Sequence, residues 1–330
     1  MQTLLLNKDE VSSLIDLDAI LAAVEDGYRS FNSGHVIQPP FMEVHFPVTH
    51  EGVDFKGGLD MGAGYLTLKA SSGGYDNNPK LGLPISMNTV MLFEASTCAL
   101  RCIMDGTFIT GCRTGAAGAI SVKYLARPEA EKLCVIGAGS QARRQLRAIM
   151  RVRKITEVRA WDALPQFLDQ YVQEMSAETG LKIRKCATAE EAVRGADIVV
   201  TTTRGRSGPL VKKEWLQPGT HIAAIGADSA GKQELEVEVF AGAKVVTDST
   251  SLCLASGETR NAVQAGIIRP EDIHGEIGEI LLGRKPAREN PDELTIFDTV
   301  GMAIQDIVTA AMLYKGALEK GLGTRYEFFK

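Results

Sequence analysis

The sequence predicts an α/β protein in which a doubly wound parallel sheet is inserted into a discontinuous α+β domain. Three observations predict this fold class. From about residue 131, short apolar runs alternate with helix-like segments, a pattern typical of parallel strands covered by helices on both faces. A glycine-rich segment directly follows the first of these runs. Residues 36–70 instead alternate short apolar runs with proline and glycine, which indicates antiparallel strands and turns.

The chain of 330 residues is long enough for two domains. We place the parallel-sheet domain at residues 122–301 and the surrounding domain at residues 1–121 plus 302–330. The surrounding domain begins with a helix that Asp16 can cap, and it closes with a mostly apolar helix over residues 302–318. Buried strands of the inserted domain are expected at residues 133–136, 158–161, 197–201, 221–225, 244–247 and 294–297.

The composition excludes several classes of protein. A net charge of −5 and a pI of about 5.7 argue against a nucleic-acid partner, which needs a basic surface. No apolar run approaches the roughly 20 residues of a membrane span, and the first residues lack the features of a signal peptide. The six cysteines form no CxxC pair and no zinc-like spacing with histidine. We therefore expect a cytoplasmic protein without a membrane partner or a metal centre.

The glycine-rich segment reads Gly137-Ala138-Gly139-Ser140-Gln141-Ala142 and lies between a predicted strand and a predicted helix. Gly137 permits a tight turn, Gly139 lets the backbone approach a pyrophosphate, and Ala142 lets helix and strand pack closely. The helix then offers free N–H groups and the positive end of its dipole to that pyrophosphate. The segment predicts a Rossmann-type dinucleotide site.

An acidic residue is expected at the end of the second strand, where it binds the ribose hydroxyls of the dinucleotide. Asp162 follows the strand over residues 158–161 and meets this expectation. Its carboxylate repels a 2′-phosphate, and no arginine follows at the usual position for one. The predicted cofactor is therefore NAD(H) rather than NADP(H).

Several longer segments resemble the ornithine cyclodeaminase/μ-crystallin family over nearly the whole chain. The most specific are Arg113-Thr114-Gly115-Ala116-Ala117-Gly118 and Gly226-Ala227-Asp228 with Gly231-Lys232-Gln233-Glu234. Lys69, the Gly82-Leu83-Pro84 and Phe297-Asp298-Thr299 segments, and Thr201-Thr202-Thr203 also match. Within the family, the sequence most resembles the alanine dehydrogenases and the imine (iminosuccinate) reductases.

The resemblance implies a homodimer that transfers a hydride at an α-amino or α-imino carbon of a small amino or imino acid. It assigns catalysis to Lys69, which also touches the substrate, and to Asp228 as the acid/base. Arg113 is implied to hold the substrate carboxylate and to contact the cofactor. The other residues implied at the cofactor, besides Gly137 and Gly139, are Ser140, Gln141, Asp162, Thr202, Lys232 and Thr299.

These side chains suit the chemistry of imine reduction. Arg113 offers a planar fork to a carboxylate, and Lys69 is a point charge that can share the carboxylate or pass a proton. Asp228 follows a buried strand, where open α/β sheets place their ligands. Each residue also has a structural interpretation: a buried ion pair for Arg113, a surface position for Lys69, and a helix cap for Asp228. Glu234 could be a solvated charge.

The sequence departs from the family pattern after Pro39-Pro40, where Phe41 stands instead of the usual cation. Lys56 can compensate, because it lies where the alanine dehydrogenases carry arginine. The loop over residues 71–78 is rich in hydrogen-bond donors, and we expect Ser71 to help bind a second polar group of the substrate. A mobile lid is the alternative for that loop.

The leading hypothesis is an NADH-dependent imine reductase or amino-acid dehydrogenase. Candidate reactions are iminosuccinate to aspartate and pyruvate plus ammonia to alanine. The alternatives are a cyclodeaminase with bound NAD, which turns over no net cofactor, and a non-catalytic protein that binds a ligand together with a nucleotide.

Overall fold

The computed structural model describes residues 2–46, 51–73, 75–206 and 208–328. Gly74, which belongs to the predicted polar loop, lies outside the described residues. Two compact units are present: residues 1–113 with 302–330, called here the split unit, and residues 114–301, called the inserted unit. The first division falls inside a helix between Arg113 and Thr114 rather than after residue 121, and the second falls between Gly301 and Met302.

In the split unit, the described strands form one mixed sheet. The strands are β1 (Thr3–Leu6), β2 (Val36–Ile37), β3 (Met42–His45), β4 (Gly52–Asp60), β5 (Tyr65–Gly73), β6 (Asn88–Glu94), β7 (Leu100–Asp105) and β16 (Thr324–Tyr326). Their order is β16-β1-β7-β6-β5-β4-β2, and β3 also pairs with β4. All pairs are antiparallel except β1 with β7, as the proline- and glycine-broken sequence predicted for residues 36–70.

The helices of the split unit are α1 (Lys8–Ser13), α2 (Leu17–Asn32) and α10 (Ala303–Lys320), and α3 (Thr107–Leu125) runs from this unit into the inserted one. The Asp16 side chain accepts the N–H groups of Asp18 and Ala19, so the predicted N-cap of α2 is confirmed. Helix α10 packs on α2 and across strands β4 to β6. This packing needs Gly58, since a Cβ there would lie 2.8 Å from the Cβ of Ala303.

The inserted unit is a parallel sheet with the strand order β10-β9-β8-β11-β12-β15-β13-β14. Its strands are β8 (Lys132–Ile136), β9 (Glu157–Trp161), β10 (Ile183–Lys185), β11 (Ile198–Thr201), β12 (His221–Ala224), β13 (Lys244–Thr247), β14 (Gly275–Glu276) and β15 (Thr295–Asp298). Its helices are α4 (Ser140–Val152), α5 (Pro165–Thr179), α6 (Ala189–Val193), α7 (Thr250–Ser256), α8 (Glu258–Gln264) and α9 (Ile277–Leu281). The predicted fold class is confirmed.

Burial explains why the central strands of this sheet are apolar. Strands β11, β12 and β15 are buried at every residue, since they lie inside the sheet, whereas the edge strand β10 exposes two of its three residues. Among the described residues, no helix is long and apolar enough to cross a membrane.

Candidate functional site

The turn from β8 to α4 has the geometry that a pyrophosphate requires. Gly137 has a φ of +93°, and a Cβ there would come within 3.0 Å of the Thr202 and Thr203 backbone. Gly139 is the N-cap of α4, is exposed, and gives the helix no side-chain cap. No atom outside its chain neighbours lies within 4 Å of a Cβ built at Gly139, so there is open space beside the helix N-terminus.

Asp162 is tied to this turn by its carboxylate. Its Oδ2 accepts the Ala138 N–H at 2.7 Å, and its Oδ1 accepts the Leu164 N–H at 2.8 Å. The acid at the end of β9 thus contacts the glycine-rich loop after β8. This is the placement expected of a residue that binds the adenosine ribose beside the pyrophosphate.

Other predicted cofactor residues surround the same edge of the inserted sheet. Thr202 follows β11, and its hydroxyl donates to the carbonyl oxygen of Gly137 at 3.2 Å. Thr299 follows β15, and its hydroxyl donates to Asp248. In α4, Ser140 is exposed and the Gln141 Oε1 is a buried atom with no hydrogen-bond partner among the described residues. An orphaned acceptor and an open helix end fit a dinucleotide bound here.

Asp228 and Lys232 form an ion pair in the loop after β12. The Asp228 side chain is half exposed, and the Lys232 carbonyl oxygen accepts the Asn261 amide at 2.8 Å. Asp228 is therefore a loop carboxylate held by the lysine four residues later. It follows a strand at the carboxyl edge of the sheet, as expected, and no helix begins at it.

Glu234 is fully buried, so the interpretation of this residue as a solvated charge is wrong. Its carboxylate accepts the Thr203 N–H at 2.5 Å and the Gly226 N–H at 2.9 Å. It thereby joins the loops that follow β11 and β12. Burial raises the pKa of Glu234, and the donated hydrogen bonds act in the opposite direction.

Asp298 has the same kind of role at the end of β15. Its two oxygens accept the N–H groups of Glu258 and Thr259 at the start of α8, at 3.2 and 2.8 Å. Burial raises its pKa to about 6. Both residues lie in segments that resemble the family, but sequence reasoning assigned neither a buried role, because the backbone groups that Thr203 and Glu258 contribute are 31 and 40 residues away.

The substrate-side candidates lie in the split unit, where three of them contact or face one buried carboxylate. Lys69 on β5 donates from Nζ to Asp306 Oδ2 at 2.6 Å, and both side chains are 1% exposed. Arg113 on α3 donates from Nε to the other oxygen, Oδ1, at 3.2 Å. Arg113 is thus in a buried ion pair, and Lys69 is not a surface lysine.

Lys56 adds a third positive charge to the cluster. It is opposite Lys69 in the register of β4 and β5, and the two side chains share the sheet face on which α10 packs. Its Nζ lies 4.3 Å from the centre of the Phe41 ring. Phe41, which replaces the family's usual cation, therefore forms a cation–π contact with the lysine predicted to compensate for it.

These charges perturb the acidity of Lys69. Burial, then the positive charge of Arg113, lowers the pKa of Lys69 to about 7, with Lys56 adding to the effect and Asp306 opposing it. Burial acts to raise the pKa of Asp306, but the charges of Lys69 and Arg113 outweigh it and lower that pKa. With its pKa near 7, Lys69 is close to the pH at which both its protonated and its neutral form are populated, whereas the lowered pKa of Asp306 favours the ionised carboxylate.

Several of the predicted loop donors are used in hydrogen bonds to residues 84–88, which follow the loop. The Ser71 hydroxyl donates to Asn88 Oδ1 at 2.5 Å, and Ser72 bonds the backbone of Met87 in both directions. Asn78 donates to the carbonyl oxygen of Pro84 at 2.9 Å. Ser71 lies on the same face of β5 as Lys69, two residues away, and this places its hydroxyl on the side of the cation cluster.

Sequence reasoning missed three residues that complete the cluster. Asp306 and Gln305 come from α10, and Tyr28 comes from α2. Gln305 Oε1 accepts from Arg113 Nη1 at 2.7 Å, and Gln305 Nε2 donates to the Tyr28 hydroxyl at 2.6 Å. For Gln305 and Asp306, the signal in the sequence was the presence of polar residues within an apolar helix, since both stand between buried Ile304 and Ile307.

The parallel sheet with its glycine-rich turn defines the class of the protein, a dinucleotide-binding protein, and the split unit adds a buried cluster of cations. The family model for the ornithine cyclodeaminase/mu-crystallin family matches residues 1–321. The chain belongs to this family, as the resemblance implied.

Comparison with individual proteins supports the same family over the full length of the chain. The chain is 41% identical to alanine dehydrogenase of Archaeoglobus fulgidus, covering 100% of both chains, and 35% identical to iminosuccinate reductase of Paracoccus denitrificans, covering 98% and 99%. An archaeal alanine dehydrogenase dimer with bound NAD superposes with a TM-score of 0.93 at 41% identity, covering 100% of both chains. Thermococcus litoralis Δ1-pyrroline-2-carboxylate reductase, with NADH and L-proline, also gives 0.93, at 34% identity and coverage of 98% and 99%.

Proposed function

We propose that the protein catalyses the NADH-dependent reduction of an α-imino acid to an L-amino acid. The observation that carries this proposal is the buried cluster in which Lys69 and Arg113 share the carboxylate of Asp306. Uncompensated buried charge is costly, so two buried cations that share one carboxylate are expected to bind a further anion. The α-carboxylate of an imino acid is such an anion.

The cluster also supplies what an imine needs besides its carboxylate contacts. An imine is far more electrophilic when its nitrogen is protonated, so a group that donates a proton near neutral pH assists the reaction. Lys69 has this property, and Asp228 is the second proposed acid/base. NADH, when bound, supplies the hydride that forms the new C–H bond at the α-carbon. The overall reaction consumes one proton and yields NAD⁺.

The choice of NADH is supported by Asp162, whose carboxylate lies against the glycine-rich turn. A carboxylate accepts hydrogen bonds from ribose hydroxyls and repels a 2′-phosphate. Gly137, Gly139, Ser140, Gln141, Thr202, Lys232 and Thr299 are proposed as further contacts of the cofactor. The related solved structures contain NAD or NADH.

The identity of the imino acid depends on the residues beside the cation cluster. Ser71 lies on the face of β5 that carries Lys69. The Ser71 hydroxyl and Lys56 are therefore proposed to bind a second carboxylate of the substrate. We therefore propose iminosuccinate, giving aspartate, beside the imine of pyruvate and ammonia, giving alanine. The names of the relatives include both an iminosuccinate reductase and an alanine dehydrogenase.

We also propose that the protein is a homodimer. Strand β3 and the segment before it present large apolar side chains to solvent, each more than half exposed: Ile37, Met42, Val44 and Phe46. Contiguous exposed apolar surface of this kind is typical of a subunit interface. A cytoplasmic location is proposed on separate grounds, since all six cysteines are free; fractionation of the native host cells tests it.

The test of the function is an NADH-oxidation assay at pH 7 over a panel of substrates. The panel contains pyruvate, glyoxylate, oxaloacetate and 2-oxoglutarate, each with ammonia or methylamine, and Δ1-pyrroline-2-carboxylate. Ornithine and lysine are assayed in parallel for ammonia release with NAD⁺. We expect stoichiometric NADH oxidation with at least one imino acid. Ammonia release without net cofactor turnover, or no response to any imine, would contradict the proposal.

A further inference from the structure

Asp306 is shared between two cations whose contacts use different oxygens of the same carboxylate. Oδ2 accepts from Lys69 Nζ at 2.6 Å, and Oδ1 accepts from Arg113 Nε at 3.2 Å. All three side chains are nearly excluded from solvent. One carboxylate from α10 thus fixes the ammonium group of β5 relative to the guanidinium group of α3.

The orientation of Arg113 has a second anchor on the same helix. Its Nη1 donates to Gln305 Oε1 at 2.7 Å, and that oxygen also accepts the Met302 N–H at 3.0 Å. Gln305 Nε2 in turn donates to the hydroxyl of Tyr28 at 2.6 Å. Arg113 is therefore held by two consecutive residues of the first turn of α10, and one of them is fixed by α2.

The charged groups that face Lys69 come from three elements. Arg113 on α3 and Lys56 on β4 disfavour its protonated form, as burial does, whereas Asp306 on α10 favours it. On β6, the residue paired with Lys69 is the apolar Val90. Asp306 is consequently the charge that opposes deprotonation of Lys69.

We propose that Asp306 is a positioning residue that keeps Lys69 protonated for donation to the imine nitrogen and keeps Arg113 oriented toward the substrate carboxylate. This inference rests on the proposed function. In the step it assigns, an N–H bond of the Lys69 ammonium breaks and a new N–H bond forms on the imine nitrogen. Lys69 is left neutral and regains its proton from water. If the inference is correct, the fall of activity at high pH reflects deprotonation of Lys69 rather than a titration of Asp228.

The experiment compares the pH dependence of kcat/KM between pH 5.5 and 9.5 for wild type, Asp306→Asn and Asp306→Glu. The substrate is the one that responds best in the imine panel, and NADH is saturating. The substrate titrates identically in every variant. A shift along the pH axis of the limb in which kcat/KM falls with rising pH therefore reports on a group of the enzyme. Asp60→Asn is the matched control, since Asp60 is also a buried carboxylate of the split unit. Its side chain accepts hydrogen bonds from Ser30 and from the N–H groups of its own turn.

The inference predicts that activity in the wild type falls as pH rises through about 7, as Lys69 loses its proton. Asp306→Asn should move this limb to lower pH by one unit or more, and Asp60→Asn should leave it in place. Asp306→Glu retains the charge, so its limb should stay near that of the wild type while kcat/KM falls at least about tenfold through misplaced cations.

Two results would overturn the inference. One is a pH profile of Asp306→Asn in which kcat/KM falls at the same pH as in Asp60→Asn. The other, which does not depend on the folding of the Asn variant, is an Asp306→Glu enzyme with full wild-type kcat/KM. A wild-type enzyme that oxidises no NADH with any imino acid instead refutes the proposed function, and this is known before any variant is compared.

Discussion

Asp306 contacts two cations that differ in their chemistry. Arg113 offers a planar guanidinium group, whereas burial and neighbouring positive charges bring the pKa of Lys69 to about 7. A planar guanidinium suits bidentate recognition of a carboxylate, and a titrating ammonium group suits proton transfer. The proposed function assigns these two tasks, carboxylate binding and proton transfer, to Arg113 and Lys69 of the same cluster.

Asp162 carries a prediction about cofactor choice. Replacing it by serine removes the carboxylate that is proposed to bind the ribose and to repel a 2′-phosphate, and it also releases the Ala138 N–H. A hydrogen bond to a charged group contributes about 1.5–3 kcal/mol, so we expect KM for NADH to rise roughly 10-fold or more. KM for NADPH should rise less, so KM for NADPH divided by KM for NADH should fall.

Asp169→Asn is the control for this change, because Asp169 is an exposed carboxylate of the same unit that pairs with Lys185. It should leave both KM values unchanged. If Asp162→Ser keeps the wild-type preference for NADH over NADPH, then Asp162 does not select the cofactor.

Individual residues were predictable from the sequence where their role follows from local pattern. Asp162 and Gly139 follow from their spacing after a strand, and Lys69 and Arg113 from family motifs. Asp306 was not predictable in this way. An acid in the first turn of a helix is ordinarily explained by the helix dipole, and only the fold reveals that this one faces a lysine 237 residues earlier.

At the scale of elements, the turn from β8 to α4 offers a matched pair of glycines. Gly137 has a left-handed φ and closely approaches the backbone after β11, whereas Gly139 has a φ of −78° and open space around its Cβ position. The first glycine is required by the fold. The second is required only if a ligand occupies that space.

We therefore expect Gly137→Ala to destabilise the protein by at least ~1 kcal/mol, which lowers Tm by about 2–4 °C per kcal/mol in a domain of this size. Gly139→Ala should leave Tm of the unliganded protein unchanged and weaken NADH binding at least about tenfold. Calorimetry and fluorescence titration of NADH measure the two effects. Unchanged NADH affinity in Gly139→Ala would place the pyrophosphate elsewhere.

Elements were predicted well where burial is periodic. The parallel strands of the inserted unit and helices α2 and α10 follow from their apolar patterns, because each buries a regular face or a whole strand. The division of the chain into units was not fixed by pattern in the same way. Helix α3 is continuous from Thr107 to Leu125, so the point at which its contacts change from one unit to the other leaves no break in the sequence.

At the scale of the whole molecule, the exposed apolar residues of β3 predict an assembly. Val44 is 55% exposed, and a carboxylate placed there by Val44→Glu would be buried without a partner in a dimer that uses this strand. We expect the wild type to be a dimer and Val44→Glu a monomer by light scattering coupled to size exclusion. Phe167→Glu, at a similarly exposed apolar position on α5, should remain dimeric. A monomeric wild type would refute the proposed dimer.

Each unit, described by itself, carries part of what the proposed reaction needs. The inserted unit presents the features of a dinucleotide site, and the split unit holds buried cations suited to an imino acid. The proposed reaction requires that a hydride pass from the cofactor to the α-carbon of the substrate.

The most direct test follows that hydride. NADH carrying deuterium at the transferable C4 position is incubated with the active imino acid of the panel, and the product is analysed by mass spectrometry and NMR. We expect an L-amino acid with one deuterium at Cα, formed in a 1:1 ratio to oxidised cofactor. An amino acid product without deuterium, or NADH oxidation without an amino acid product, would contradict the proposed function.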